Sequence, residues 1–123
     1  MDVAQTYLVA WEGDVPIGHA HVAWSDTKLG VPEVQDVFVA QDHRRRGVGT
    51  ALARAAEALA AARGQARISL SFGIANEAAR RLYERLGYRD AGIDPERVEG
   101  TIMIRGAAVD VDDTLVYVVK ELA

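Results

Sequence analysis

Arg44-Arg45-Arg46-Gly47-Val48-Gly49-Thr50 is the stretch on which the fold turns. A short apolar run, Val34 to Val39, stands before it, and an alanine-rich run, Val48 to Arg63, follows. The order strand, glycine loop, helix start builds an anion site. The first turn of a helix carries backbone N–H groups without intrahelical partners, and the aligned peptide dipoles add partial positive charge. Glycines at 47 and 49 remove side chains that would hold a ligand away from the backbone. The stretch is neither a Walker loop, which needs Gly-Lys-Ser/Thr, nor a dinucleotide fingerprint, whose third glycine would fall at Leu52. We read it as a seat for the pyrophosphate of a coenzyme; the competing reading is a basic strand-to-helix turn that binds nothing.

Outward from this loop the chain reads as strands. Thr6–Glu12 and Ile17–Trp24 flank a Gly13-Asp14 turn and predict a hairpin. Glu33–Val39 is the third strand. Simple alternation puts Glu33, Gln35, Val37 and Val39 on one face and Val34, Asp36 and Phe38 on the other. The helix after the loop carries Val48, Ala51, Leu52, Ala55, Ala58, Leu59 and Ala62 at helical spacing, and Gly64 suits its end. Ala66–Phe72 is a fourth strand. Asn76 is a good N-cap for a helix over Glu77–Leu86, whose inner stripe is Ala79, Leu82, Tyr83 and Leu86. On that helix the spacing predicts Arg81 with Glu77 and Glu84 with Arg80. Thr101–Arg105 and Thr114–Lys120 complete the strands, with the acidic Val109–Asp113 between them as a solvated turn. A helix between the third and fourth strands makes a right-handed βαβ crossover and a parallel pair. The expected fold class is therefore α/β: a mixed, mostly antiparallel sheet with a central parallel βαβ pair and two main helices, in one domain over residues 1–123.

Composition narrows the function. The 123 residues carry a net charge of −4, so the arginine cluster stands out against an acidic background, and a nucleic-acid partner is not expected. Cysteine is absent, which excludes disulfides and thiolate chemistry. His19 and His21 share a strand face, but no third ligand stands at a suitable spacing, so no metal is expected. No signal-peptide pattern opens the chain and no apolar run is long enough for a bilayer, so the expectation is a cytoplasmic protein without a membrane partner.

Two separated motifs then point to a family. Arg44-Arg45-Arg46-Gly47-Val48-Gly49 matches Gln/Arg-x-x-Gly-x-Gly/Ala, and Asn76, Tyr83 and Leu86-Gly87-Tyr88 match a second signature of Asn, Tyr and Leu-Gly-aromatic. Together, and in this order, they resemble the GNAT superfamily of acetyl-CoA-dependent N-acetyltransferases. The resemblance is good from Tyr7 to Tyr88 and extends to the final strand. It implies that acetyl-CoA is the co-substrate and that a primary amine attacks its thioester directly, through a tetrahedral intermediate. It implies cofactor contacts from Val37, Phe38 and Val39 on a splayed strand. The loop residues Arg44, Arg45, Arg46, Gly47, Val48, Gly49 and Thr50 would hold the pyrophosphate, with Asn76 and Tyr83 completing the site. Tyr83 is the expected proton donor to the leaving thiolate, and Glu33, on the third strand, the expected base; Asp36 lies on the opposite face by alternation, so at most one of the two faces the cleft, and His21 is a distant third choice. The family usually carries a strand and two helices ahead of the first hairpin, and this sequence starts at the hairpin. That predicts an acceptor cleft lacking one wall, which a homodimer partner could supply. The alternative class is a non-catalytic acyl-CoA-binding module or partner subunit. Aminoglycoside, polyamine, amino acid and protein lysine all remain open as acceptors.

Overall fold

A computed structural model describes residues 5–44, 46–104 and 106–122. The strands are β1 (Gln5–Glu12), β2 (Val15–Ala23), β3 (Glu33–Val39), β4 (Arg67–Gly73), β5 (Arg89–Asp90), β6 (Glu96–Ile104) and β7 (Ala107–Glu121), and the helices are α1 (Val48–Ala62) and α2 (Glu77–Arg85). The sheet runs β1-β2-β3-β4-β7-β5, with β6 paired to β7. Every pairing is antiparallel except β3 with β4, which is parallel across the α1 crossover. This is the mixed, mostly antiparallel α/β arrangement expected. No helix among the described residues is long and apolar enough to cross a membrane.

Both helices pack on one face of the sheet. Ile68, Leu70 and Phe72 of β4 stand beside Val116 and Val118 of β7 and form the floor of the core. Leu52, Ala53, Ala56 and Ala60 of α1 and Tyr83 and Leu86 of α2 close it from above. The burial of α1 corrects its expected stripe: Ala51, Ala55, Ala58 and Ala62 are exposed, while Ala53, Ala56 and Ala60 are buried. Eight alanines in fifteen residues, spread around the helix, leave the sequence without a clear phase. The helix is turned so that small residues meet the sheet at close range.

Glu57 is buried on the same stripe. Its carboxylate accepts a 3.1 Å hydrogen bond from the Tyr88 hydroxyl and pairs at 2.8 Å with Lys120 on β7. A further correction concerns the acidic Val109–Asp113. It lies in the long strand β7, not in a turn, because β6 supplies partners across the ladder. Arg97 forks onto Asp112, and the Thr101 hydroxyl donates to Asp110. Cross-strand pairing outweighs the poor intrinsic β preference of aspartate. On α2, Glu77 pairs with Arg80 at 3.9 Å; among the described residues neither of the expected ion pairs, Arg81–Glu77 and Glu84–Arg80, forms.

Strand β3 does not stay beside β4. Only Glu33↔Ser69 and Val34↔Leu70 are in register, after which the strands part. The cause lies in β3 itself. From Gln35 to Phe38 it spans three residues where β2 spans two, His19 to His21, and Asp36 sits at φ +53°. This is a bulge, and bulges bend the strand that carries them. The bulge also overturns simple alternation: Phe38 pairs with His19 and Gln35 with His21, so both lie on one face together with Tyr7 and Val9 of β1. That face carries no helix among the described residues, and Tyr7, Val9, His19 and Phe38 are exposed on it.

Gly18 fixes how closely β2, β3 and α1 meet. A Cβ there would stand 2.9 Å from the Phe38 carbonyl oxygen and 3.0 Å from Cγ1 of Val48. A backbone oxygen cannot swing away, so Gly18→Ala is expected to destabilise the fold by about 1–3 kcal/mol, read from the urea midpoint.

Candidate functional site

Helix α1 starts at Gly47, which holds φ +83° and offers no side-chain cap. A β-branched residue is strongly disfavoured at that φ, and a capping side chain would compete for the first-turn donors. The N–H groups of Val48, Gly49 and Thr50 thus open onto a cleft of about 900 Å³. Three elements wall it. Strand β3 contributes Val37, Phe38 and Val39 from beyond the bulge. The loop and first turn of α1 contribute Arg44, Gly47, Val48, Gly49 and Thr50. Helix α2 contributes Asn76, Ala78, Ala79, Arg81, Leu82 and Arg85. Among the described residues the cleft wall carries three guanidinium groups and no carboxylate. It suits a polyanion at the helix start and an extended chain along β3, whose backbone faces no β4 partner beyond Val34.

The arginine cluster divides. Arg44 folds back so that Nε donates to the Val39 carbonyl at 3.1 Å, tying the loop to the strand end while staying on the cleft wall. Arg46 leans the other way, 3.8 Å from Glu12, beside His43 at 3.3 Å from the same carboxylate. Arg45 lies outside the described residues. Asn76 caps α2: its Oδ1 accepts from the Ala79 N–H at 3.1 Å.

At the paired end of β3, Glu33 is buried at 7 % exposure. Its Oε2 accepts from the Gln35 side-chain amide, while Oε1 is buried with no partner. The Gln35 Oε1 lies 2.9 Å from His21 Nε2, and His21 Nδ1 lies 3.3 Å from Asp36 Oδ2. Glu33 and Asp36 therefore belong to one connected set, where alternation had put them on opposite faces. The left-handed backbone at Asp36 brings its carboxylate round to the imidazole. Tyr117 is a neighbour of this set: burial, and then the charges of Glu96 and Glu33, raise its hydroxyl above the usual phenol value.

The Acetyltransferase (GNAT) family model matches residues 1–88. The chain belongs to this acetyltransferase family. An N-acetyltransferase of Methanocaldococcus jannaschii, itself uncharacterized, is 40% identical over 63 residues, which cover 51% of this chain and 28% of that relative. The GNAT chain thus matches far less than two thirds of that protein. Among solved structures, a Bacillus subtilis acetyltransferase in complex with CoA superposes with a TM-score of 0.77 at 20% identity, over 98% of this chain and 78% of the other. A GNAT family acetyltransferase of Elizabethkingia anophelis with acetyl-CoA bound gives 0.76 at 16%, over 97% and 77%. At such identities the likeness speaks for the fold.

Within this GNAT fold the structure gathers Val37, Phe38, Val39, Arg44, Gly47, Val48, Gly49, Thr50 and Asn76 in one cleft and leaves Glu33 and Arg46 outside its wall. Tyr83 is also elsewhere. Its ring is buried, stacked 6.1 Å from Phe72 and edge-on to Tyr88 at 5.7 Å, and it lines a smaller cavity of about 270 Å³ with Arg80 and Arg89. Burial raises the Tyr83 hydroxyl above the ordinary phenol value, so it is protonated at neutral pH. Sequence reading missed Arg81 and Arg85. Their spacing of four residues on one helix was the available signal, but α2 had to be placed against the loop before it meant anything.

Proposed function

We propose that the chain is an acetyl-CoA-dependent N-acetyltransferase acting on a primary amine. The observation that carries this reading is the parting of β3 from β4 beside an uncapped, glycine-started helix. The residues present fit an acyl-CoA. Val48, Gly49 and Thr50 offer N–H groups to the pyrophosphate, Arg44, Arg81 and Arg85 offer positive charge to its phosphates, and the free edge of Val37–Val39 offers backbone groups to an extended amide-bearing arm. The bound coenzyme supplies the activated acyl group. The chain's own part is to hold it, strip a proton from the amine and return one to the thiolate.

Glu33 is the proposed base. Its buried Oε1 has no protein partner and is the oxygen we assign to receive the amine proton, directly or through a water. Tyr83 is the proposed acid, supported by the family motif; burial, which raises its hydroxyl, keeps the proton on it at neutral pH. Glu33→Gln and Tyr83→Phe are each expected to lower thiol release from acetyl-CoA by about 100-fold while CoA binding, followed by calorimetry, stays within about twofold. The second reading, a non-catalytic acyl-CoA-binding module, draws on two features: the uncovered face at Tyr7, Val9 and Phe38, and the placement of Tyr83 away from the cleft. An amine panel assayed for acetyl-CoA-dependent thiol release separates the two. CoA binding without turnover of any amine favours the module; absence of CoA binding removes both.

A further inference from the structure

The three groups linked to Glu33 have no assigned part in the chemistry. Hydrogen-bond accounting fixes how they are polarised. An ionised carboxylate only accepts, so Gln35 must turn its NH₂ to Glu33 Oε2. Its carbonyl then faces His21, and an amide oxygen also only accepts. His21 Nε2 must therefore carry the hydrogen of the 2.9 Å contact. The other ring nitrogen stands 3.3 Å from Asp36, which the bulge holds at positive φ. Tyr7 covers the outer side of the imidazole at 5.2 Å between ring centres. His21 is itself buried at 7 % exposure, so the chain of groups is built into the sheet.

We propose that Gln35 and His21 are positioning residues that hold the Glu33 carboxylate with Oε2 engaged and Oε1 without a protein partner. Gln35 engages Oε2, which leaves the buried, unpartnered Oε1 as the oxygen that takes the amine proton, directly or through a water. His21 keeps the Gln35 carboxamide from flipping: with its NH₂ toward His21 Nε2–H, two donors would face each other. The titratable groups facing this network are Glu33, Asp36, His21, Tyr7 and Tyr117.

The inference rests on the N-acetyltransferase reading, so its first test is independent of turnover. Two-bond ¹H–¹⁵N spectra of the histidine rings should show His21 protonated at Nε2 in the wild type, and Gln35→Leu should abolish that fixed state. A His21 ring that is protonated at Nδ1 alone, or that exchanges freely between tautomers in the wild type, overturns the proposal whatever the enzyme does. The second test is kinetic. Gln35→Leu and His21→Leu should lower kcat by on the order of tenfold or more with KM for acetyl-CoA unchanged. His21→Gln, which restores an N–H donor toward Gln35, should recover most of the loss. Unchanged kcat in both leucine variants, or no rescue by His21→Gln, overturns it too. Fixed Nε2 protonation in a protein that turns over no amine sinks the enzymatic reading and leaves the network's geometry standing.

Discussion

Glu57→Ala is expected to lower the stability of the fold by about 3 kcal/mol, the range found when one partner of a buried ion pair is removed. The carboxylate is 8 % exposed and joins three elements: α1 carries it, Tyr88 after α2 donates to one oxygen, and Lys120 of β7 pairs with the other. Alanine would leave the Lys120 ammonium, whose side chain is 18 % exposed, without its partner. For a domain of this size the change corresponds to roughly 10 °C in Tm, measurable by thermal unfolding. Glu57→Gln keeps an acceptor for Tyr88 and should cost about half as much. A shift of only a degree or two for Glu57→Ala would mean that the pair contributes little more than a surface bridge.

The same cluster gives stability a pH dependence whose sign can be worked out. Burial first, then the Glu57 charge and its hydrogen bond, raise the Tyr88 hydroxyl well above its ordinary value of 10. The folded state therefore holds that proton more tightly than the unfolded one. The contribution is complete below about pH 10 and is lost as pH rises through the raised folded value. Urea midpoints should fall above pH 10, and Tyr88→Phe should remove that part of the fall.

Gly47→Val is expected to weaken CoA binding by about 100-fold while leaving most of the fold intact. No atom lies within 4 Å of a Cβ built at Gly47, so the effect is not a clash. It comes from φ +83°, which valine does not adopt without strain of roughly 1–3 kcal/mol. The loop would relax by turning the first N–H groups of α1 away from the cleft. Two charge-assisted hydrogen bonds at about 1.5 kcal/mol each amount to about 3 kcal/mol, or roughly 100-fold in Kd. Calorimetry with CoA reads the loss, and circular dichroism confirms that the helices persist. Binding within threefold of the wild type would mean that the cofactor is not seated on this helix start.

Much of the fold was legible along the chain. The Gly13 turn, the βαβ crossover, the Asn76 cap and the glycine at the head of α1 each follow from local chemistry, and the structure has them where the sequence puts them. Three features were not legible. The phase of α1 escaped because its eight alanines in fifteen residues are interchangeable to a periodicity argument. The acidic end of β7 read as a turn because its partners lie on β6. The face of Asp36 was misread because alternation assumes a regular strand, and one residue in the left-handed region reverses the phase of all that follow.

The candidate site divides along the same line. The sequence alone named the residues of the proposed anion seat, since a helix start needs only neighbouring residues to present its N–H groups. It also named Glu33 and Tyr83, through a motif and not through geometry. Only the tertiary structure decided that Arg81 and Arg85 join the cleft, that Tyr83 sits in the core, and that Glu33, Gln35, His21 and Asp36 are one network. Those relations depend on where separate strands and helices are set against one another. That placement comes from packing summed over the whole core, a quantity no local stretch of sequence contains.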